Sequence, residues 1–191
     1  MGTKRVGLAR VEALIENLKR NLNLSGSTLV GQKQSVETLS ADGDALTAAD
    51  SGKLFLLDAA DETASTDFTL PQLDTDHIGV TYKFAVTDAT NGAFTITTGD
   101  TTDTTGDMFI GGLVLAAAQV SSTSNGANGR SVAPGSDNNK ITLDGNLDDS
   151  GCEPGTVITC TAVSATQWLV DGVVVTHDAD CDGSAIFSDV D

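Results

Sequence analysis

"VTYKFAV", residues 80–86, sets Tyr82, Phe84 and Val86 on one side of an extended chain and Thr81, Lys83 and Ala85 on the other. Successive side chains of a strand point to opposite faces, so this period of two predicts a strand with one face buried and one wet. "AFTITT" (93–98) repeats the pattern, with Phe94 and Ile96 alternating with Thr95 and Thr97. Between the two, Asn91-Gly92 has tight-turn chemistry, and the pair is expected to form a hairpin.

Working outward, the same texture continues. "SVETLS" (35–40), "KLFLLDA" (53–59), "DFTL" (67–70) and "DMFIGGLVL" (107–115) are short apolar stretches. "KITLD" (140–144), "TVITCTAV" (156–163), "QWLVDG" (167–172) and "VVVTH" (173–177) follow, all separated by Gly, Asp, Asn and Ser clusters. Short strands with turn signals every 8 to 12 residues or so predict a mainly β fold, an antiparallel β-sandwich or jelly-roll-like domain. A length of 191 residues suits one such domain plus an arm. One polar stretch, "QVSSTSNGANGRSVAPGSDNN" (119–139), is long for a connection and reads as an exposed loop around Arg130.

Charge divides the chain. The formal net charge is −17, yet Lys4, Arg5, Arg10, Lys19 and Arg20 against Glu12 and Glu16 give +3 over residues 1–24, leaving −20 for the rest. Residues 1–25 are therefore read as a helical arm and residues 26–191 as the β-domain with an acidic C-terminal tail. In the arm Leu8, Val11, Ile15, Leu18 and Leu22 recur at alternating spacings of 3 and 4, one seam on a short α-helix that Thr3 caps and Gly26 ends. A helix of about twenty residues is marginal alone in water, so the seam is expected to be an oligomerisation or docking surface. Packing on the arm's own domain is the alternative.

These properties exclude several classes. A body at −20 repels phosphate backbones, which argues against nucleic acid as a partner. No apolar run reaches the roughly eighteen residues of a membrane span, and charges at Glu12, Glu16, Lys19 and Arg20 interrupt any secretory-signal core. His77 and His177 stand far apart without a nucleophile motif, and no P-loop, GxSxG, HExxH or dinucleotide fingerprint occurs, so no catalytic residues are expected. Most acids of the body are Asp in turn-like settings, where the side chain caps its own backbone.

Two residue groups remain. "DADCDG" (178–183) places Asp178, Asp180 and Asp182 at alternate positions before Gly183, with Asp189 at the twelfth position, the oxygen spacing of a calcium loop. Asp in place of the usual final Glu, the late apolar Ile186 and the lack of flanking helices depart from that pattern, and a solvated acidic tail is the alternative. No other cofactor is expected. Cys152, Cys160 and Cys181 are odd in number and lack CxxC spacing, so they are read as small buried hydrophobes with a spare thiol.

"ALTAADSGKLFLLDA" (45–59), "FTLPQLDTDHIGVTYKFAV" (68–86), "TGDMFIGG" (105–112) and "KITLDGNLDDSGCEPGTVITCTAVSATQWLVDG" (140–172) together resemble the β-rich virion proteins of tailed bacteriophages, particularly those of marine bacteria and cyanobacteria. The resemblance covers about residues 45–175, and the basic N-terminal stretch is similar to the short helix such proteins carry ahead of the β-domain. It implies a non-enzymatic capsid decoration or cement protein, a homotrimer docked on the major capsid protein or another virion protein. Such a protein is made in the host cytoplasm and located on the capsid surface. The alternative it implies is a tail- or head-fibre receptor-binding module. The long 119–139 loop and the "DADCDG" stretch depart from the family pattern.

Overall fold

The computed structural model describes residues 7, 11–12, 33–39, 43–58, 66–87, 93–101, 106–117, 129–144, 150–176 and 182–190. The chain divides into two units, Met1–Lys33 and Gln34–Asp191. In the first unit the Val11 N–H donates to the Gly7 carbonyl at 3.3 Å, the i to i−4 bond of a helical turn. Leu8, Ile15, Leu18 and Leu22 lie outside the described residues, as does the extent of the predicted arm helix.

The second unit is mainly β, with two mixed sheets. One has seven strands in the order β1-β3-β5-β10-β11-β7-β8 and the other five in the order β12-β9-β6-β4-β2. The first sheet contains β1 (Val36–Leu39), β3 (Leu54–Leu57), β5 (Thr81–Val86), β7 (Met108–Ala117), β8 (Ser131–Val132), β10 (Val157–Ala162) and β11 (Gln167–Thr176). The second contains β2 (Asp44–Ala45), β4 (Thr66–Thr69), β6 (Ala93–Thr97), β9 (Lys140–Asp144) and β12 (Phe187–Ser188). From β1 to β6 the chain changes sheet at every step, so β1, β3 and β5 stack in parallel in one sheet while β2, β4 and β6 stack in parallel in the other. The later strands close each sheet with antiparallel partners, β10 on β5 and β9 on β6.

This winding corrects two expectations. The sheets are not antiparallel throughout: among the described residues five pairings are parallel and five antiparallel. Nor do β5 and β6 form a hairpin, because they lie in different sheets, and Asn91-Gly92 itself falls outside the described residues. The physical reason is shared by both. A period of two reports which side of a strand is buried, and that is the same whether the neighbour runs parallel or antiparallel. Two predicted strands, "QWLVDG" and "VVVTH", are one, the continuous β11. Gly172 joins them at φ +150°, where a Cβ would run into the Val157 carbonyl oxygen, so β10 lies against its neighbour β11 at a point that only glycine leaves open.

The alternation holds in β5 and breaks in β6, where Thr95, expected on the wet face, is buried along with Phe94 and Ile96. Tyr82, Phe84 and Val86 are buried, Lys83 is exposed and Thr81 and Ala85 are intermediate. Phe55, Leu57, Phe109, Leu113, Ile158, Cys160, Trp168 and Val170 from the first sheet and Phe68, Phe94, Ile96, Ile141 and Leu143 from the second join one contiguous core. Each large buried side chain contributes about 1.5–3 kcal/mol. Aromatic rings string the centre together: Phe55 stacks on Phe84 at 5.6 Å, and Tyr82 tilts against Trp168 at 5.7 Å. Trp168 Nε1 is the one buried side-chain polar atom without a partner among the described residues.

Tyr82 also bridges the windings. Its hydroxyl donates to the Thr47 carbonyl at 2.8 Å, tying β5 to the 3-10 turn Ala48–Asp50 that leads from β2 into β3. Burial pushes the phenol's pKa well above its ordinary value, so it remains a donor throughout the physiological range. Tyr82→Phe leaves that carbonyl without its donor and is expected to lower the free energy of unfolding by about 1–2 kcal/mol with the fold retained. Chemical denaturation read by Trp168 fluorescence checks it.

Candidate functional site

Two sets of ionisable side chains lie where the chain passes between sheets. In "LDTDH" Asp74 precedes the 3-10 turn Thr75–His77 and caps it: its Oδ1 accepts the Asp76 N–H at 2.7 Å and the His77 N–H at 3.1 Å. The same oxygen meets His77 Nδ1 at 2.7 Å. The bond from His77, then that from the Asp76 amide, holds the Asp74 carboxyl below its ordinary value. One residue earlier, the Leu73 N–H donates to Asp107 Oδ2 at 2.8 Å, which joins this segment to the approach to β7. Asp107 is buried, and burial raises its pKa, with the nearby Asp100 charge adding to the rise and the Leu73 bond opposing it. Thr98 Oγ1 donates to the Asp107 carbonyl at 3.0 Å, and Gln72 Nε2 to Asp100 Oδ2 at 3.2 Å. The result is a polar clasp in which Gln72 and Leu73, beside the capped turn, are tied to Asp100 and Asp107.

A second clasp guards the β1 edge. Lys53 Nζ lies 2.7 Å from Asp50 Oδ1 and 2.8 Å from Glu37 Oε2. Asp50 Oδ2 further accepts the Thr47 N–H at 2.9 Å and the Thr47 hydroxyl at 2.7 Å. These bonds, led by the one from Lys53, lower the Asp50 pKa from 3.8 to about 2. The capping use expected of the Asp residues is seen at Asp50 and Asp74, and again at Asp182.

Asp182 and Asp189 are the described members of the candidate calcium set; Asp178 and Asp180 lie outside the described residues. Asp182 Oδ1 accepts the Ser184 N–H at 2.8 Å, and the bonds from Ser184 hold its carboxyl below the ordinary value. Gly183 at φ +73° is buried, and a Cβ there would press on Val132, Leu115 and Ile186. Ile186 and Phe187 then enter the core and β12 pairs with β9. The stretch 182–188 thus belongs to the body, drawn in by two apolar residues, and Asp189 follows it as an exposed residue. Among the described residues no three His, Cys, Asp or Glu side chains converge as an ion site.

The remaining sequence features fall as follows. Of the arm seam, Val11 is described and is 39% exposed. Of the polar stretch 119–139, residues 129–139 are described: Arg130 is exposed, its carbonyl accepts the Leu115 N–H at 2.8 Å, and β8 pairs with β7. Cys152 and Cys160 are buried, and burial raises the Cys160 thiol well above its ordinary value, which keeps it protonated at neutral pH. Cys181 lies outside the described residues.

Sequence reasoning missed the clasp of Asp74, His77 and Asp107. The spacing of Asp74 to His77 is that of a capped turn and was open to reading; the partnership with Asp107, 34 residues from Leu73, was not. No protein-family model, curated protein or solved structure matches the chain.

Asp50 and Asp107 drive stability in opposite directions with pH. Asp50, lowered in the fold, contributes stability that is complete above 3.8 and is lost as pH falls through about 2. Asp107, raised in the fold, burdens the native state most at neutral pH and is relieved as pH falls through its folded value toward 3.8. Asp50→Asn is therefore expected to cost about 1 kcal/mol at neutral pH, after allowance for its partial exposure, with the difference fading near pH 2. Asp107→Asn keeps an acceptor for Leu73 and is expected to stabilise at neutral pH, with the gain fading toward the ordinary carboxyl value. Urea titrations of the three proteins across this range check both signs.

Proposed function

We propose that the chain is a non-enzymatic virion structural protein, a decoration or cement protein of a tailed-phage capsid whose body is a wound β-sandwich. The observation that carries this reading is the use made of the body's ionisable groups. Asp50, Lys53 and Glu37 fasten one crossover and Asp74, His77 and Asp107 fasten another, so among the described residues these ionisable side chains are engaged with the chain itself. What remains for function is the exterior. Outside residues 1–24 it carries a formal −20, a charge that keeps neighbouring bodies and particles apart in solution.

The resemblance of residues 45–175 to phage virion proteins supports the location. In this reading the basic arm, with Leu8, Val11, Ile15, Leu18 and Leu22 along one side, docks the acidic body on the shell or on sister chains. Particles that encode the chain, purified on a density gradient, are expected to contain it in many copies and to bind antibody against it over the capsid surface in immunogold images. A chain found only in the soluble lysate, or gold confined to the tail, would reject the capsid assignment. Deletion of residues 1–25 is expected to abolish shell binding while the far-ultraviolet spectrum keeps its β character.

A further inference from the structure

The two sheets turn unlike faces outward. On the five-stranded sheet the positions alternating with the core are Asp67, Thr69, Ala93, Thr95, Thr97, Lys140, Thr142 and Asp144, a mostly polar and half-buried surface in which Thr95 is buried. On the seven-stranded sheet the register sets Leu56, Ala85, Val157, Val173 and Val114 side by side on five neighbouring strands, β3, β5, β10, β11 and β7. Val173 is 40% and Val114 42% exposed, and Val36 at 55% continues the apolar surface on the edge strand. An apolar row five strands wide on a chain of this charge marks a contact surface rather than a wet one.

The adjacent row names the occupant. It reads Leu54, Lys83, Thr159, Asp171, Gly112 on the same five strands. Lys83 and Asp171 flank Thr159 at one strand spacing, about 4.8 Å, on either side, and both are exposed. A two-fold axis lying in the interface and running along β10 exchanges β5 with β11 and β3 with β7. It sets Lys83 of each copy over Asp171 of the other. The same operation puts Leu56 over Val114, Ala85 over Val173, and Val157 and Thr159 over their own counterparts, while Leu54 falls at the outer end of the row, where the Val132 backbone lies against Gly112. Within these rows aliphatic residues meet aliphatic ones, opposite charges meet, and no carboxylate faces a carboxylate.

We propose that this outer face is a homodimer interface, in which two copies pack their seven-stranded sheets face to face about a two-fold axis along β10. Sheets stacked face to face lie about 10 Å apart, a gap the side chains of these rows can fill; with the axis along β10 the two β10 strands run parallel, near the aligned class of sheet packing. Five strands at about 4.8 Å spacing and about 17 Å of length cover roughly 400 Å² per copy, below the ~800 Å² of a standard interface. The association is accordingly concentration dependent. It is also independent of the capsid assignment, since it rests on the face alone.

Charge exchange tests the geometry. Sedimentation velocity of the full chain from low micromolar to millimolar concentration is expected to show reversible dimer formation. Lys83→Asp puts two carboxylate pairs in the interface and Asp171→Lys two ammonium pairs, and each is expected to weaken association at least about tenfold. A mixture of the two variants restores it, because every contact in the mixed dimer is again opposite in sign, and so does the double variant K83D/D171K. A general effect of net charge would instead weaken the first variant and strengthen the second. Both positions are exposed, and unchanged thermal melting would show that the fold is intact. A native chain that stays monomeric throughout, single variants that associate as the native chain does, or a mixture that fails to recover would each overturn the proposal and leave the face to the arm or to a different protein.

Discussion

Every long strand of the body has one side to hide, and the hidden sides of both sheets meet in a single core. That shared burial is the constraint on which the rest depends. Because β1 to β6 alternate between the sheets, neither sheet completes before the other, and each turn of the chain adds one strand to both. Phe55 and Phe84 stack within the first sheet, and Phe68 and Phe94 within the second, so each winding is keyed to the next by aromatic contact as well as by backbone bonds.

A wound chain has many crossovers, and each brings backbone amides to an end of the sheets where no ladder partner awaits them. The polar residues answer this. Asp74 takes two amides of its own turn, Asp107 takes the Leu73 amide, and Asp50 takes that of Thr47. The abundance of Asp in this chain is thus partly structural, and its cost differs with place. Where a carboxylate is shared with Lys53 it is stabilised in its charged form; where it is buried, as at Asp107, the fold tolerates a group that would be better off neutral.

The outer faces divide the remaining work. A Thr- and Asp-rich face lies on the five-stranded sheet, whereas the seven-stranded sheet presents a row of aliphatic residues among threonines and one Lys83–Asp171 pair of charges. A strongly acidic protein associates through such a place because everywhere else like charges would oppose contact. The assembly role and the self-pairing face proposed for the chain are compatible, because they call on different parts of it.

Short apolar runs between turn clusters were enough to locate ten stretches that lie in strands, and alternation was enough to say which side of "VTYKFAV" faces the core, since burial of every second residue leaves a mark in the sequence itself. The two-residue strands β2, β8 and β12 were too short to leave one. Capping by Asp was legible for the same reason, being local. What only the tertiary structure decided was who stands beside whom: parallel or antiparallel neighbours, the transfer of β6 to a different sheet from β5, the reach of Asp107 to Leu73, and the alignment of Leu56, Ala85, Val157, Val173 and Val114 into one row. A strand's own residues encode its buried side through the hydrophobic effect, but its partner and register are set by the joint packing of residues scores of positions apart, which no local pattern records.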